Sequence, residues 1–321
     1  AVEESLPEEI NFGILRVPND ETIAVAEGFF DDYFTDRGIE VNTRVFDSGV
    51  EANQALASGS IDFATMGNTN AITALARDLN VELIWIHEVL GENEALAVKN
   101  GSGIEKAEDL VGKRIAVPFA STAHYVLLNF LKEAGIEEDV QLLDMQTAEI
   151  VAAWERGDVQ AAYSWQPTLS QLLKSGSTLT DSRQMAEKGY ITANVEVVRK
   201  GFSEEYPELV ADFISALSQA GDIYRNEPNK AAEIAGNELG LEAEVALHQM
   251  RGTTWKTREE LLSEEFFGTV DEPGNFAKVM KDTSDFLQRQ GSIEESPSQS
   301  AFNDYVNPEY IKMSLDSDQN N

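Results

Sequence analysis

The stretch KRIAVPFASTAHYVLLNFLKEAG, residues 113–135, contains the repeating unit from which the fold is built. Its first part, residues 113–120, is a short apolar run that predicts a buried strand. A helix-period pattern follows, and Gly135 can supply the left-handed residue that ends the helix. The apolar stripe of this predicted helix consists of Leu127, Leu128, Leu131 and Ala134. The stretch therefore predicts a strand, a polar turn and an amphipathic helix.

Three polar side chains stand at that turn: Ser121, Thr122 and His124. One hydroxyl, from either Ser121 or Thr122, is enough to cap the helix. The second hydroxyl and His124, which lies one turn into the helix, are not needed for capping. We interpret these surplus polar groups as candidates for binding a ligand.

The same order of strand, polar turn and helix recurs in three other parts of the chain. The strand-like runs are INFGILRV, IDFATMG and VQAAYSW, residues 10–17, 61–67 and 159–165. Each run is followed directly by a stretch with helical periodicity. This pattern is typical of α/β folds, in which helices cover a parallel sheet. In such sheets ligands bind beyond the carboxyl ends of the strands, where helix N-termini favour an anion.

Length and composition indicate a two-lobed protein of an oxidising compartment. The chain has 321 residues, of which 42% are hydrophobic, and no cysteine, which excludes disulfides, iron–sulfur clusters and thiolate metal sites. No stretch approaches the roughly 18 apolar residues that a membrane-spanning helix requires. Residues 1–9 lack both a Met and a basic-then-apolar leader, so we predict a secreted, periplasmic protein whose signal peptide has been removed. A trimmed chain would begin in the same way.

The net charge of −33, from 24 basic and 57 acidic residues, argues against nucleic acid or an anionic membrane surface as a partner. Such partners require basic patches. Two explanations of the acidity stay open: solubility, or a halophilic adaptation to high salt, where self-repulsion is screened. The low lysine content and the spread of Asp and Glu over every segment favour a saline habitat.

Several motifs resemble those of periplasmic taurine-binding proteins of ABC importers, within the alkanesulfonate, nitrate and taurine superfamily. They are NEALAVK, DLVGKRIAVPFASTAHYVLL, AAWERGDVQAAYSWQPTL and VVRKGFSEEYPELV, at residues 93–99, 109–128, 152–169 and 197–210. FDSGVEANQALASGSIDFATMG and DYVNPEYIKM, residues 46–67 and 304–313, fit the same family. The resemblance covers the chain from about residue 10 to residue 312.

This resemblance implies a two-lobed α/β fold of the periplasmic binding proteins, the type II or Venus-flytrap form, with two hinge strands. Lobe one would comprise residues 1–95 and 197–321, and lobe two residues 96–196. The implied function is that of an extracytoplasmic solute-binding protein that captures a small sulfonate, with taurine favoured, in an interlobe cleft and delivers it to an ABC permease. The resemblance implies no cofactor, and we expect a monomer.

The resemblance also implies roles for particular residues. Ser121, Thr122 and His124 would bind the sulfonate, and Glu94, at the first crossover between lobes, would face the ammonium group, because a buried ammonium needs a carboxylate or several acceptors. Further contacts are predicted for Asn19, Asp20, Asn68, Thr69, Tyr125, Trp165, Gln166, Asn194 and Glu196. The last two depart from the family pattern, which has an acidic residue at the position of Asn194 and an aromatic one at that of Glu196. If Glu196 points inward, it can replace the missing charge.

Other ligands and other classes of protein are alternatives to this hypothesis. The ligand could instead be a plain alkanesulfonate, nitrate or a pyrimidine precursor; an aromatic ligand would stack on Trp165 and Tyr125. An enzyme is disfavoured, since no G-x-S-x-G elbow holds Ser121 and its spacing to His124 is that of a helix cap, so no catalytic residue is predicted. His87 and His248 form no ligand-spaced pair, and no metal site is predicted.

Overall fold

The computed structural model describes residues 6–319, and these divide into two compact units. Unit 1 consists of the described residues up to Glu88, of Asn194–His248, and of the described residues from Trp255 onward. Unit 2 consists of Val89–Ala193 and Gln249–Thr254. The sequence predicts lobe two at 96–196, whereas Glu94, predicted in lobe one, lies in unit 2, and Asn194 and Glu196, predicted in lobe two, lie in unit 1. Residues 1–5, on which the prediction of a removed signal peptide partly rests, lie outside the described residues.

Strands and helices alternate along most of the described chain. The strands are β1 (Glu9–Leu15), β2 (Glu40–Phe46), β3 (Phe63–Gly67), β4 (Val81–Leu90), β5 (Glu94–Lys99), β6 (Arg114–Val117), β7 (Gln141–Asp144), β8 (Ala161–Trp165), β9 (Gly176–Asp181), β10 (Ala193–Arg199) and β11 (Thr253–Thr254). The α-helices are α1 (Asp20–Glu27), α2 (Phe29–Tyr33), α3 (Gly49–Ser58), α4 (Asn68–Ala76), α5 (Thr122–Ala134), α6 (Thr147–Arg156), α7 (Thr168–Leu172), α8 (Ser182–Glu187), α9 (Lys200–Glu205), α10 (Pro207–Asn226), α11 (Pro228–Leu239), α12 (Ala243–Arg251), α13 (Arg258–Leu261), α14 (Asn275–Arg289), α15 (Gln299–Tyr305) and α16 (Glu309–Gln319). Short 3-10 helices cover Thr35–Arg37, Ala107–Leu110 and Glu137–Asp139. Among the described residues, no helix combines the length and the apolar character needed to cross a membrane.

The sheet of unit 1 has the strand order β4-β10-β3-β1-β2. β1 pairs in parallel with both β2 and β3, whereas β10 runs antiparallel to β3. The two residues of β11 pair with Val89 and Leu90 at the end of β4, and these four residues belong to unit 2. The sheet is therefore mixed rather than purely parallel, because β10 runs antiparallel to β3.

Five phenylalanine rings form the centre of the unit 1 core. Phe12 of β1 pairs in register with Phe63 of β3, and their ring centroids lie 5.3 Å apart. Phe213 of α10 lies 4.4 Å from Phe63 and 5.0 Å from Phe12. Phe30 and Phe34 pack on Phe12 from the α2 side, with centroids at 4.8 and 6.1 Å. Rings in tilted and edge contact at these distances add to the free energy gained from burying their area.

The sheet of unit 2 has the strand order β7-β6-β8-β5-β9. β6 is parallel to β7 and β8, while β5 is antiparallel to β8 and β9. Trp154 of α6 packs on this sheet beside Ala97, Ala116 and Leu169. A Cβ added to Gly176 would lie 2.8 Å from the Trp154 ring and 2.7 Å from the Val98 carbonyl oxygen, so only glycine allows β9 to approach this closely.

The predicted strand-turn-helix units are present in both sheets. β1, β3, β6 and β8 lead into α1, α4, α5 and α7. Helix α5 has Ser121 as its N-cap and Gly135, at φ 68°, as its C-cap, and the cap N–H bonds to Leu131 and Lys132. Leu127 and Leu131 of its predicted stripe are fully buried. The polar residues of the opening stretch therefore stand at a helix N-terminus.

Candidate functional site

Ser121 forms the cap of α5 and its hydroxyl is occupied on both sides. Its Oγ accepts a hydrogen bond from the His124 backbone N–H at 3.2 Å and donates to the Pro118 carbonyl at 2.5 Å. Thr122 Oγ1, by contrast, donates to Glu94 Oε2. The two hydroxyls of the turn therefore differ in their contacts: that of Ser121 caps the helix, and that of Thr122 donates to the buried carboxyl of Glu94.

Glu94 is the first residue of β5 and its side chain is fully buried in unit 2. Besides Thr122, the hydroxyls of Ser182 and Thr192 donate to its Oε1, at 2.6 and 3.5 Å. Burial raises the pKa of Glu94 to about 7, and the hydroxyl bonds oppose that rise only in part. Among the described residues no basic side chain lies within ion-pair distance of it. Near neutral pH this carboxyl is therefore poised between its two protonation states, and an added cation would favour the ionised form.

His124 is held as a neutral imidazole with a defined tautomer. Its Nδ1 accepts a hydrogen bond from the Ala120 backbone N–H at 3.1 Å, and its ring lies parallel to that of Phe119, 4.4 Å between centroids. Burial lowers the pKa of His124 to about 4, although the Asp144 carboxylate acts in the opposite direction. The proton of the neutral ring is therefore on Nε2, which can donate a hydrogen bond.

The three other predicted residues of unit 2 lie in and after β8 and in α5. Tyr125 is buried, with its ring edge-on to Tyr190 at 6.4 Å. Trp165 ends β8, is half-buried and stands opposite Glu94 in the register of β8 with β5. Gln166 caps the next turn, because its Oε1 accepts from the backbone N–H and hydroxyl of Ser170 at 3.0 and 2.6 Å.

In unit 1, the carboxyl of Glu88 accepts hydrogen bonds from the side-chain amides of Asn19 and Asn194. Asn19 caps α1 through its Oδ1, which accepts from the Thr22 N–H at 3.1 Å, and its Nδ2 lies 3.4 Å from Glu88 Oε2. Asn194 Nδ2 donates to Glu88 Oε1 at 2.7 Å. Burial raises the pKa of Glu88 to about 7, against the opposing effects of His87 and of the Asn194 bond. Asn194 therefore acts as a donor to a buried acid.

Asp20 and His87 form a close pair beneath the start of α1. Asp20 Oδ1 lies 2.5 Å from His87 Nδ1 and also accepts from the Glu21 backbone N–H at 2.7 Å. The Trp85 indole N–H donates to Asp20 Oδ2 at 2.8 Å. On its own, burial would lower the pKa of His87, but the carboxylates of Asp20 and Glu196 outweigh it and hold this pKa well above its ordinary value.

Glu196 points inward and meets Glu21 and Thr65. His87 Nε2 lies 2.7 Å from Glu196 Oε2, and Thr65 Oγ1 lies 2.9 Å from the same oxygen and also contacts Glu21 Oε2. Burial raises the pKa of both glutamates. One ligand atom each of Glu21, His87 and Glu196 lie within 4.8 Å of one another, a spacing that suits a metal ion.

Asn68 and Thr69 begin α4 and are buried in unit 1. Asn68 Nδ2 contacts the Met280 sulfur at 3.9 Å, and the Thr69 carbonyl accepts from the Thr73 hydroxyl at 3.0 Å. Both residues stand at the carboxyl end of β3, where the strand pattern predicts them.

The structure brings the predicted residues together in two groups, one in each unit. Glu94 contacts Thr122 in unit 2, while Asn19, Asp20, Asn194 and Glu196 are linked through buried acids and His87 in unit 1. Seven residues of these networks are not among the predicted site residues: Glu21, Thr65, Trp85, His87, Glu88, Ser182 and Thr192. The ligand-binding roles of the predicted residues stay predictions.

Comparisons with known proteins agree with this architecture. The family model described as NMT1/THI5 like matches residues 23–231, more than half of the chain. The chain belongs to the NMT1/THI5-like family. This family member is 37% identical over 264 residues to the taurine-binding periplasmic protein of Escherichia coli (strain K12), covering 80% of this chain and 79% of that protein. The resemblance found in the sequence is thereby confirmed.

Solved structures confirm the fold of this NMT1/THI5-like protein. The periplasmic aliphatic sulphonate binding protein SsuA from Escherichia coli superposes with a TM-score of 0.77 at 19% identity, covering 94% of this chain and 99% of that one. The predicted periplasmic-binding-protein fold is therefore correct. The desulfurization enzyme DSZB also superposes, with a TM-score of 0.71 at 19% identity, covering 97% of this chain and all of that one. The curated relative is a binding protein, yet the fold itself is compatible with catalysis.

Proposed function

We propose that the chain is an extracytoplasmic solute-binding protein that captures a small sulfonate, with taurine as the preferred ligand, and delivers it to an ABC permease. The observation that carries this proposal is the 37% identity to a taurine-binding periplasmic protein over 80% of the chain. The sulfonate-binding structural neighbour adds support at the level of the fold. We further propose a periplasmic location, a monomeric state and an acidic surface adapted to high salt.

For the sulfonate we propose the N-terminus of α5. This helix has 13 residues, so its first N–H groups carry a partial positive charge that attracts an anion. His124 contributes a neutral Nε2–H donor, whose orientation is fixed by the Ala120 N–H and the Phe119 ring. Fixed donors of this kind suit the three acceptor oxygens of a sulfonate, and they need no basic side chain.

For the ammonium group of taurine we propose Glu94. Its carboxyl is buried among hydroxyls and has no basic partner among the described residues, so a bound ammonium would supply the missing positive charge. The pKa of about 7 means that pairing with a cation should expel a proton near neutral pH. Taurine, which has an amine, should release this proton, whereas ethanesulfonate should not.

Calorimetric titration of protein stripped of carried-over ligand tests the proposal. Taurine should bind more tightly than ethanesulfonate, nitrate or a pyrimidine. At pH 6.5, repeating the taurine titration in buffers of different ionisation enthalpy should reveal proton release. Ethanesulfonate binding as tightly as taurine would remove the role of Glu94, and a failure of every sulfonate to bind would reject the proposed function.

The Glu94→Gln variant isolates the ammonium contact. Losing one partner of a buried charge pair costs on the order of 2 kcal/mol, which is roughly a 30-fold weaker taurine affinity. Ethanesulfonate affinity should change little, because that ligand carries no positive charge. Glu155→Gln, an exposed position on α6 in the same unit, is the matched control.

We propose that the chain has no catalytic activity toward the sulfonate. Ser121 Oγ donates to the Pro118 carbonyl, and His124 Nδ1 faces the Ala120 N–H, so the two side chains do not form a nucleophile and base pair. Incubation of the protein with taurine should therefore leave the ligand intact. Release of sulfite or ammonia that depends on Ser121 would contradict this.

A further inference from the structure

Three potential metal ligands converge inside unit 1, each from a different element. Glu21 lies on α1, His87 on β4 and Glu196 on β10, and all three side chains are buried. Their ligand atoms lie within 4.8 Å of one another. We propose that Glu21, His87 and Glu196 bind one divalent transition-metal ion. This site is distinct from the sulfonate and ammonium contacts proposed in unit 2.

Unpartnered oxygen atoms of the cluster favour the binding of a cation. Glu21 Oε1 and Glu196 Oε1 are buried and have no hydrogen-bond partner within residues 6–319. When both acids are ionised, Thr65 cannot donate to both, because its single hydroxyl proton faces Glu21 Oε2 and Glu196 Oε2 together. Buried acceptors of carboxylates are costly to leave unpaired, and a metal ion would occupy them.

The negative charge of the cluster also favours the binding of a cation. Four buried acids, Asp20, Glu21, Glu88 and Glu196, surround one histidine. Within the described part of the chain, His87 is the only basic side chain at ion-pair distance from any of them. The imidazolium of His87 offsets one negative charge, whereas a divalent ion beside a neutral His87 offsets two, so metal binding brings the cluster one charge closer to neutrality.

The surroundings of His87 match those of a metal-binding histidine. Asp20 lies 2.5 Å from Nδ1, and Asp20 is itself held by the Trp85 indole N–H at 2.8 Å and the Glu21 backbone N–H at 2.7 Å. A carboxylate that accepts from one ring nitrogen fixes the tautomer and directs the other nitrogen at the metal. Here Nε2 is directed at Glu196, 2.7 Å away, where the ion would be inserted.

The ligand set selects the class of ion. One imidazole nitrogen and two carboxylates suit Zn²⁺ and its first-row neighbours, with bonds of about 2.0–2.2 Å, and the remaining position can hold water or the Thr65 hydroxyl. Ca²⁺ takes six to eight oxygen ligands, so it fits this set less well. Zn²⁺ is therefore the probe of choice, and Co²⁺ its spectroscopic substitute.

A metal-free arrangement is the competing explanation and makes a different prediction. In it, His87 is an imidazolium that donates from Nδ1 to Asp20 and from Nε2 to Glu196. With Zn²⁺ bound, His87 is instead neutral, with a proton on Nδ1 alone. The chain has three histidines, so a nitrogen NMR spectrum of histidine-labelled protein contains few resonances and can report each state.

The experiment compares metal-stripped protein before and after one equivalent of ZnSO₄, both in the native state and after refolding from urea with the metal present. The refolded sample is included because Zn²⁺ could enter the buried site of the native protein only slowly. We expect one Zn²⁺ per chain by elemental analysis, a change of His87 from two protonated nitrogens to one, and a Co²⁺ spectrum typical of four or five ligands. The proposal is overturned if neither preparation retains zinc or if His87 keeps both protons.

Variants separate this site from adventitious binding. His87→Ala should abolish stoichiometric zinc, and Asp20→Asn should weaken it by about 10- to 100-fold through the orientation of His87. His248→Ala, an exposed histidine of α12 in the same unit, should leave zinc binding unchanged. Zinc retained in full by folded His87→Ala would refute the proposal. Should that variant not fold, the NMR spectrum of the wild-type chain decides.

Discussion

Replacing Glu94 with glutamine should change how the stability of the protein depends on pH. The pKa of this buried carboxyl is about 7 in the folded chain and 4.5 when unperturbed. A group whose pKa is raised on folding binds its proton more tightly in the native state. Its contribution is therefore fully present below about pH 4.5 and is lost as the pH rises through about 7.

The size of the effect follows from that difference. A pKa raised by about 2.5 corresponds to about 3 kcal/mol over the full range, and most of it, about 2–3 kcal/mol, falls between about pH 5 and about pH 8. Because glutamine does not titrate, the Glu94→Gln variant does not show this loss of stability as the pH rises. The variant also replaces an acceptor of hydroxyl bonds, but that cost is the same at every pH and does not affect the slope.

Urea unfolding of ligand-free protein, followed by tryptophan fluorescence at several pH values and constant salt, measures the effect. The free energy of unfolding of wild type, minus that of Glu94→Gln, should fall by about 2–3 kcal/mol from about pH 5 to about pH 8. Glu155→Gln, at an exposed site of the same unit, should run parallel to wild type. If the Glu94→Gln curve is also parallel to wild type, Glu94 does not carry a raised pKa.

Three further predictions concern stability. Ser121→Ala removes the cap of α5 and should lower the free energy of unfolding by about 1 kcal/mol in urea titrations, with a weaker affinity for sulfonates in calorimetry. Phe12→Ala empties the centre of the five-ring core and should cost about 3–5 kcal/mol in the same assay, whereas Phe119→Ala, on the surface of unit 2, should cost far less. Since the net charge is −33, raising NaCl from about 0.1 M to about 2 M should increase the urea midpoint; an unchanged midpoint would contradict the proposed adaptation to salt.

The alternation of strands and helices was predictable because its signals are local. An apolar run, a polar turn and a helix-period stripe lie next to each other in the sequence, as residues 113–135 illustrate, and Gly135 ends the helix as expected. The antiparallel direction of β10 in the first sheet was not visible in this pattern. The pairing between β10 and β3 joins distant parts of the chain, and the local hydrophobic periodicity does not predict such long-range pairing.

The positions of several candidate site residues at helix starts were predictable from the sequence, but the side-chain contacts that these residues make were not. The sequence predicts either Ser121 or Thr122 as the helix cap, and Ser121 occupies that position, but the partner of Thr122, which is Glu94, lies 28 residues away. The spacing of the histidines in the sequence gives no sign of the carboxylates from α1 and β10 that contact His87. The available signal is the excess of acids in apolar segments, such as Glu21 in the first turn of α1 and Glu196 within β10, with few basic residues to balance them.

The strand order of unit 1 bears on the synthesis of the chain. β10 is inserted between β3 and β4, yet it is made only after all of Val89–Ala193. At about 5–20 residues per second, this interval lasts on the order of 5–20 s, during which the facing edges of β3 and β4 have no final partner. Almost all of unit 2 lies in Val89–Ala193, so unit 2 can fold before β10 is available. A released chain that ends at residue 193 should therefore resist protease in unit 2, while residues 6–88, which lack β10, are still cleaved.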